Sequence, residues 1–274
     1  MTEALAFIKR YALLIAGKRL TAASAALSYF LTMTFFPLLI LLYSMLGSSY
    51  PSAVRLLSIG RRFLAEETAR TIEEFLLYVA RNNSRAMTTA AAAILLSSAS
   101  AAVRSLQATI GELQGCRRFK GLRNILFSVL FSLLFVAVMY VSALVMLTGE
   151  NALEWLNRLI PGLNAAGLWR LIRFPLLAVI DYGILYGVYE FSVPEQSPYP
   201  TRIGALSAAA GMISVSALFS GFIGASSRYP LVYGSLSSVI LLMLWLHVCC
   251  FTVYAGAALN VLLRDLAEED GRSA

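Results

Sequence analysis

Few residues in this chain could do chemistry, and most of them lie where charge is expensive. The single histidine, His247, sits in an apolar run with Trp245, Cys249 and Cys250. Asp181 interrupts a second apolar run and Arg104 a third. Ionisable groups in hydrocarbon are costly unless paired or hydrated, so these three are the first candidates for a polar path through a membrane. Nuclease chemistry needs clustered carboxylates for metal ions, or a His and Lys pair placed for acid–base work. Neither occurs. Glu66-Glu67 and Glu73-Glu74 fall in polar sequence, and there is no Walker-type string or nucleophile elbow. Cys116, Cys249 and Cys250 are odd in number and lack metal spacing, so neither a metal nor a disulfide framework is expected. No cofactor and no enzymatic activity is expected.

The elements that carry these residues follow from composition. Of 274 residues, 59% are hydrophobic and 14% charged, where a soluble domain carries about a quarter charged. With a mean hydropathy of +0.74, a water-soluble enzyme is excluded. The net charge of +7 comes from bases beside apolar runs, as at Lys9-Arg10, Lys18-Arg19 and Arg117-Arg118-Phe119-Lys120. That placement anchors helix ends at anionic headgroups and does not mark a nucleic-acid surface. The first apolar run is too long for a signal peptide.

The pattern predicts an all-α, polytopic membrane protein with six spans, at about 21–46, 87–108, 124–149, 168–189, 203–224 and 234–263. An amphipathic interfacial helix over residues 2–17 precedes them. Residues 47–85 form an external helical cap, and residues 264–274 a polar tail that frays. Six crossings put both ends on one side. The bases of the N-terminus and of the 111–124 loop make that side cytoplasmic, although the first external loop also holds several Arg. Gly47 to Pro51 echoes Ala225 to Pro230, but both strings are made of turn residues and no repeat follows.

By helix rise, Asp181 lies about 20 Å and Arg104 about 27 Å from the outer ends of their spans. A difference of about 7 Å is within reach of an arginine side chain. One expectation is therefore a buried Arg104–Asp181 pair lining a cavity open to the cytoplasm. The other is that Arg104 snorkels to headgroups while Asp181 caps a neighbouring helix. His247 is either a proton relay or a hydrogen-bond donor between helices. Gln107 and Asn260, near cytoplasmic span ends, are expected to bond between helices. Tyr29, Tyr182 and Tyr186 are candidate cavity residues, and Tyr189 a belt residue. Small residues four apart (Thr89, Ala93, Ser97, Ala101, Ser105, Thr109) predict a helix-packing face, as do Gly183 with Gly187, and Gly204 with Ala208 and Gly211.

Three ordered blocks carry a family resemblance. Thr21-Ala22-Ala23-Ser24-Ala25-Ala26-Leu27-Ser28-Tyr29-Phe30, followed by Phe36-Pro37-Leu38-Leu39, resembles the first-span signature of the YihY/BrkB family. The string from Ser97 to Leu106 is similar to its second-span block. Tyr229 to Leu263 is the most specific stretch, with Val232-Tyr233-Gly234-Ser235-Leu236, Leu244-Trp245-Leu246 and Gly256-Ala257-Ala258-Leu259-Asn260. The resemblance implies a bacterial inner-membrane protein of six helices. Members have carried a ribonuclease label now regarded as mistaken, and some are linked to serum resistance or lipid export. No agreed catalytic residues come with the family. His247 departs from it, because a Tyr-like residue often follows the Trp-Leu pair there.

The expected function is that of a secondary transporter or lipid-handling protein, driven by an ion gradient or a downhill substrate. Its partners would be membrane lipids and a small-molecule or lipid substrate. The competing expectation is a non-transport scaffold that binds envelope partners through the 47–85 cap. Homo-oligomer formation has two routes, the Gly183/Gly187 face and the cap.

Overall fold

The computed structural model describes residues 2–45, 66–82, 84–115, 128–130, 132–133, 137, 165–192, 201–225 and 237–273. Most of the expected third span, with Tyr140, lies outside them, as do Cys116 and residues 46–65 of the cap. Every described element is a helix: α1 (Thr2–Gly17), α2 (Leu20–Met45), α3 (Glu66–Asn82), α4 (Arg85–Gln114), α5 (Ala165–Phe191), α6 (Arg202–Ala225) and α7 (Ser237–Ser273). Among the described residues, four apolar stretches are long enough to cross a membrane: Leu20–Leu41, Arg85–Gln114, Arg202–Phe219 and Val239–Glu269.

Local chemistry sets the helix ends. Ser84 is extended (φ −131°) and its hydroxyl accepts from the Met87 amide at 3.2 Å, which starts α4. Gly115 ends it in the left-handed region (φ 67°), where a residue without Cβ is unstrained. The helix therefore continues past the expected end of the second span, to Gln114. Inside α2 the hydroxyls of Ser24, Thr32 and Thr34 donate to the carbonyls of Leu20, Ser28 and Phe30, so they need no water.

α2 is central. It packs along α4 and α7, which also touch each other; α7 packs along α6, and α6 along α5. At one end of this row, α1 lies against α7, with the Tyr11 hydroxyl donating to Ala255 O at 2.9 Å. Lys18 Nζ donates to Glu112 O there, and Arg264 Nη1 to Gln114 O. At the other end α3 covers the tip of α2, burying Leu76 and Val79 against Tyr43, with Phe75 edge-on to Phe36 at 5.4 Å.

Three expectations change here. The tail does not fray: α7 continues helically to Ser273, and Arg10 pairs with Glu269 at 2.8 Å. At 37 residues, α7 is about 55 Å long, more than the hydrocarbon core of about 30 Å, so its end projects from the membrane.

Only part of the small-residue ladder on α4 meets protein, where Ser105 and Thr109 face Tyr254 of α7. Ala93 and Ser97 are exposed, Ala101 and Ser105 half-buried, while Leu95, Ala99, Ala102, Ile110 and Leu113 are buried. Residues four apart advance about 40° per step around a helix of 3.6 residues per turn, so the ladder winds across the face instead of following it.

Gly183 and Gly187 also lie away from any packed face. A Cβ at either would meet nothing within 4 Å among the described residues, because both stand about 160° around α5 from the buried Leu185.

Candidate functional site

Arg104 sits on a polar line along α4. Ser100, Arg104 and Gln107, spaced four and three apart, share one face. Ser100 Oγ lies 3.3 Å from Ser132 Oγ, and Arg104 Nη1 donates to Ser128 Oγ at 3.4 Å. Ser100, Gln107, Ser128 and Ser132 are all buried. The Gln107 Oε1 atom has no hydrogen-bond partner among the described residues. Leu96 is exposed on the same side of α4, and Leu130 and Leu133 are exposed near Ser128 and Ser132 in the chain. The result is a narrow polar seam bordered by apolar surface.

Asp181 lies elsewhere. On α5 it shares a face with Leu185 and Val188, four and seven residues further on, and is half-buried. Its titratable neighbours are Cys249 on α7 and Tyr189 on α5. Arg104 and Asp181 form no ion pair. Nine residues separate Arg104 from Leu95, so its side chain leaves α4 about 180° from the packed face, while α7 and α6 stand between α4 and α5. The two side chains leave their helices in directions that do not bring them together.

His247 belongs to a third place. It is half-buried on α7, seven residues before Tyr254, and so on the same face. The Tyr254 phenol is buried and turned toward Ser105 and Thr109 of α4, with no hydrogen bond of good geometry among the described residues. Tyr182 and Tyr186 stack with centroids 6.3 Å apart, half-buried against the core. Tyr29 is 49% exposed beside Phe30, on the outer side of α2 from the buried Leu27 and Ser28.

Asn260 does bond between helices. Its Oδ1 accepts from Gly204 N at 2.7 Å and its Nδ2 donates to Thr201 O at 3.1 Å, so α7 caps the first turn of α6 in trans. Contact this close requires Gly204 and Gly256. A Cβ on Gly256 would stand 2.5 Å from Gly204 O and 2.8 Å from the Tyr189 hydroxyl. Gly211 meets Thr252 in the same seam. Tyr189 is not a belt residue; it is buried, and its hydroxyl donates to Val253 O at 2.6 Å.

The sequence model of the family described as "Virulence factor BrkB" matches residues 15–274. The chain belongs to the BrkB family. A curated relative, "Putative ribonuclease-like protein YfkH" of Bacillus subtilis (strain 168), is 26% identical over 255 residues, covering 88% of each chain. No solved structure matches this BrkB-family protein.

Sequence reading missed four residues of this BrkB-family chain that the structure brings into play. Ser128 and Ser132, four apart in an apolar run, face the α4 seam. Gly256 precedes Asn260 by one turn, and that glycine-to-asparagine spacing was the available signal for the α6–α7 contact. Tyr254 carries no sequence mark beyond its place in an apolar run.

Proposed function

We propose that this protein is a six-span inner-membrane transporter for lipids or other anionic amphiphiles, which pass along the polar seam of α4. One observation carries the reading. Arg104 stands deep along α4, and among the described residues its only hydrogen bond is 3.4 Å to a neutral serine. A guanidinium in that setting favours an anion, and its planar donors match phosphate or carboxylate bidentately. Ser100, Ser128, Ser132 and Gln107 offer neutral polar steps for a headgroup, while Leu96, Leu130 and Leu133 offer apolar surface to acyl chains. The protein acts without an enzymatic step and without nucleic acid.

Topology supports six crossings. α4 ends, α5 ends and α6 begins at the end of the bundle where α1 meets α7. A chain that leaves α4 at that end and returns there through α5 crosses once more in between. The scaffold alternative draws on the cap helix α3, whose Tyr78 is 59% exposed.

Reconstitution tests the choice. Vesicles holding the protein should exchange a headgroup-labelled anionic lipid between leaflets faster than empty vesicles. Arg104→Ala should slow exchange by about tenfold, the scale of a lost charge-assisted hydrogen bond. Arg104→Lys should retain part of the rate and Glu74→Gln all of it. Exchange no faster than in empty vesicles would favour the scaffold.

A further inference from the structure

We propose that Asp181 is a proton-binding site within the membrane, a carboxyl group that takes up and releases one proton as the helix row changes shape. Its neighbour Cys249 lies about a third of the way along the apolar stretch Val239–Glu269 of α7. Asp181 shares the inward face of α5 with Leu185 and Val188 and is half-buried. No ion pair or hydrogen bond reaches it among the described residues.

The groups around it leave the charge uncompensated. α6, which packs along α5, carries one titratable side chain, Arg202, exposed at its first turn. α7 presents the Cys249 thiol, and α5 itself presents the Tyr189 phenol, whose proton is already given to Val253 O. Arg104 lies beyond α7, bonded to Ser128. An ionised carboxylate placed so has neither counter-charge nor donors among the described residues, and neutralisation by a proton is the ordinary escape. A metal cation is a poorer fit, because sodium- or calcium-like ions need several oxygen ligands and the neighbours are a thiol and a hydroxyl already engaged. The chemistry is one step: carboxylate plus proton gives carboxylic acid, with no other bond made or broken.

The inference names the coupling ion for the transport proposed above and rests on that reading for the coupling alone. It is tested on the wild-type protein in vesicles with an apolar carbodiimide, which enters from lipid and modifies only protonated carboxyl groups. Peptide mass spectrometry should find the adduct on Asp181 at neutral pH. Labelling should fall about tenfold per pH unit once the group ionises, and added sodium at constant pH should not change it. Absence of an Asp181 adduct at neutral pH, or protection by sodium, would overturn the proposal whatever the transport result. A pH-dependent adduct without proton-driven lipid movement would leave the proton site standing and remove the transport reading. Asp181→Asn should abolish the adduct and leave labelling elsewhere unchanged, which separates this site from carboxyl groups at the membrane surface.

Discussion

Asn260 and Gly204 show how little space one side-chain position can leave. The Asn260 side chain accepts from Gly204 N, one of the first-turn donors that helix geometry leaves without partners, and donates to Thr201 O, which also accepts from Ala205 N. It reaches them only because Gly204 and Gly256 let two backbones meet. Adding a methyl group to Gly204 forces it into Gly256 O and the Asn260 amide, so Gly204→Ala should cost about 1–3 kcal/mol, the range for overpacking. Gly183→Ala adds a methyl where nothing lies within 4 Å and should stay within about 0.5 kcal/mol. Thermal unfolding of the two variants in one detergent measures the contrast. Equal loss would mean that α6 and α7 do not approach this closely. The α6 half of the seam was legible beforehand, since Gly204, Ala208 and Gly211 stand at helical intervals. The ladder on α4 was as regular, yet Ala93 and Ser97 are exposed and only its Ser105 and Thr109 end faces another helix. Spacing reports which residues share a side of a helix; it does not report whether that side meets protein or lipid, and Ala and Ser are tolerated in both.

Among the elements, α1 is the one whose role sequence and structure describe differently. Its periodicity read as a helix lying on the membrane, and Leu5 and Ile8 are indeed exposed. Its other face, however, is docked: Tyr11, Leu14 and Ile15 pack on the main core, and Arg10 joins the last turns of α7. The hydrogen bond from Arg10 to Glu269, with their mutual attraction, holds the guanidinium charged. That pair is exposed on both sides and contributes little, so Arg10→Glu should loosen α1 by at most about fivefold in amide exchange, an effect that added salt reduces. The double exchange with Glu269→Arg should restore it. Tyr11 matters more. Burial pushes its phenol above the ordinary value of 10.0, so its contribution to docking is complete below that pH and is lost as pH rises through the raised value. Alkaline loosening of α1 that disappears in Tyr11→Phe would verify the assignment, and loosening unchanged by the substitution would refute it. The ion pair was not legible because the polar tail after Arg264 gives no sign of which element it meets, and a contact across most of the chain length leaves no periodic trace.

At the scale of the whole molecule, the arrangement of ends decides the orientation. Lys9, Arg10, Lys18, Arg19 and Arg202 belong to the end where α1 meets α7, and Arg264 bonds Gln114 O there. α3 caps the opposite end with Glu73, Glu74 and Arg81 in mixed charge. The excess of bases at the first end is the feature that retains a segment in the cytoplasm, whereas acidic residues count for little in that rule. α3 should therefore face outward and the last turns of α7 inward. Two variants with one added cysteine each, at Glu74 and at Glu268, check this in right-side-out cell envelopes with a membrane-impermeant thiol reagent. Cys116 is first replaced by serine, while Cys249 and Cys250 are buried and shielded from the reagent. The variant at residue 74 should label without permeabilisation, and the one at residue 268 only after it. Labelling of both from the same side would break the even number of crossings. It would also remove the membrane depth assigned to Arg104 and Asp181, because both depths are measured from these two ends.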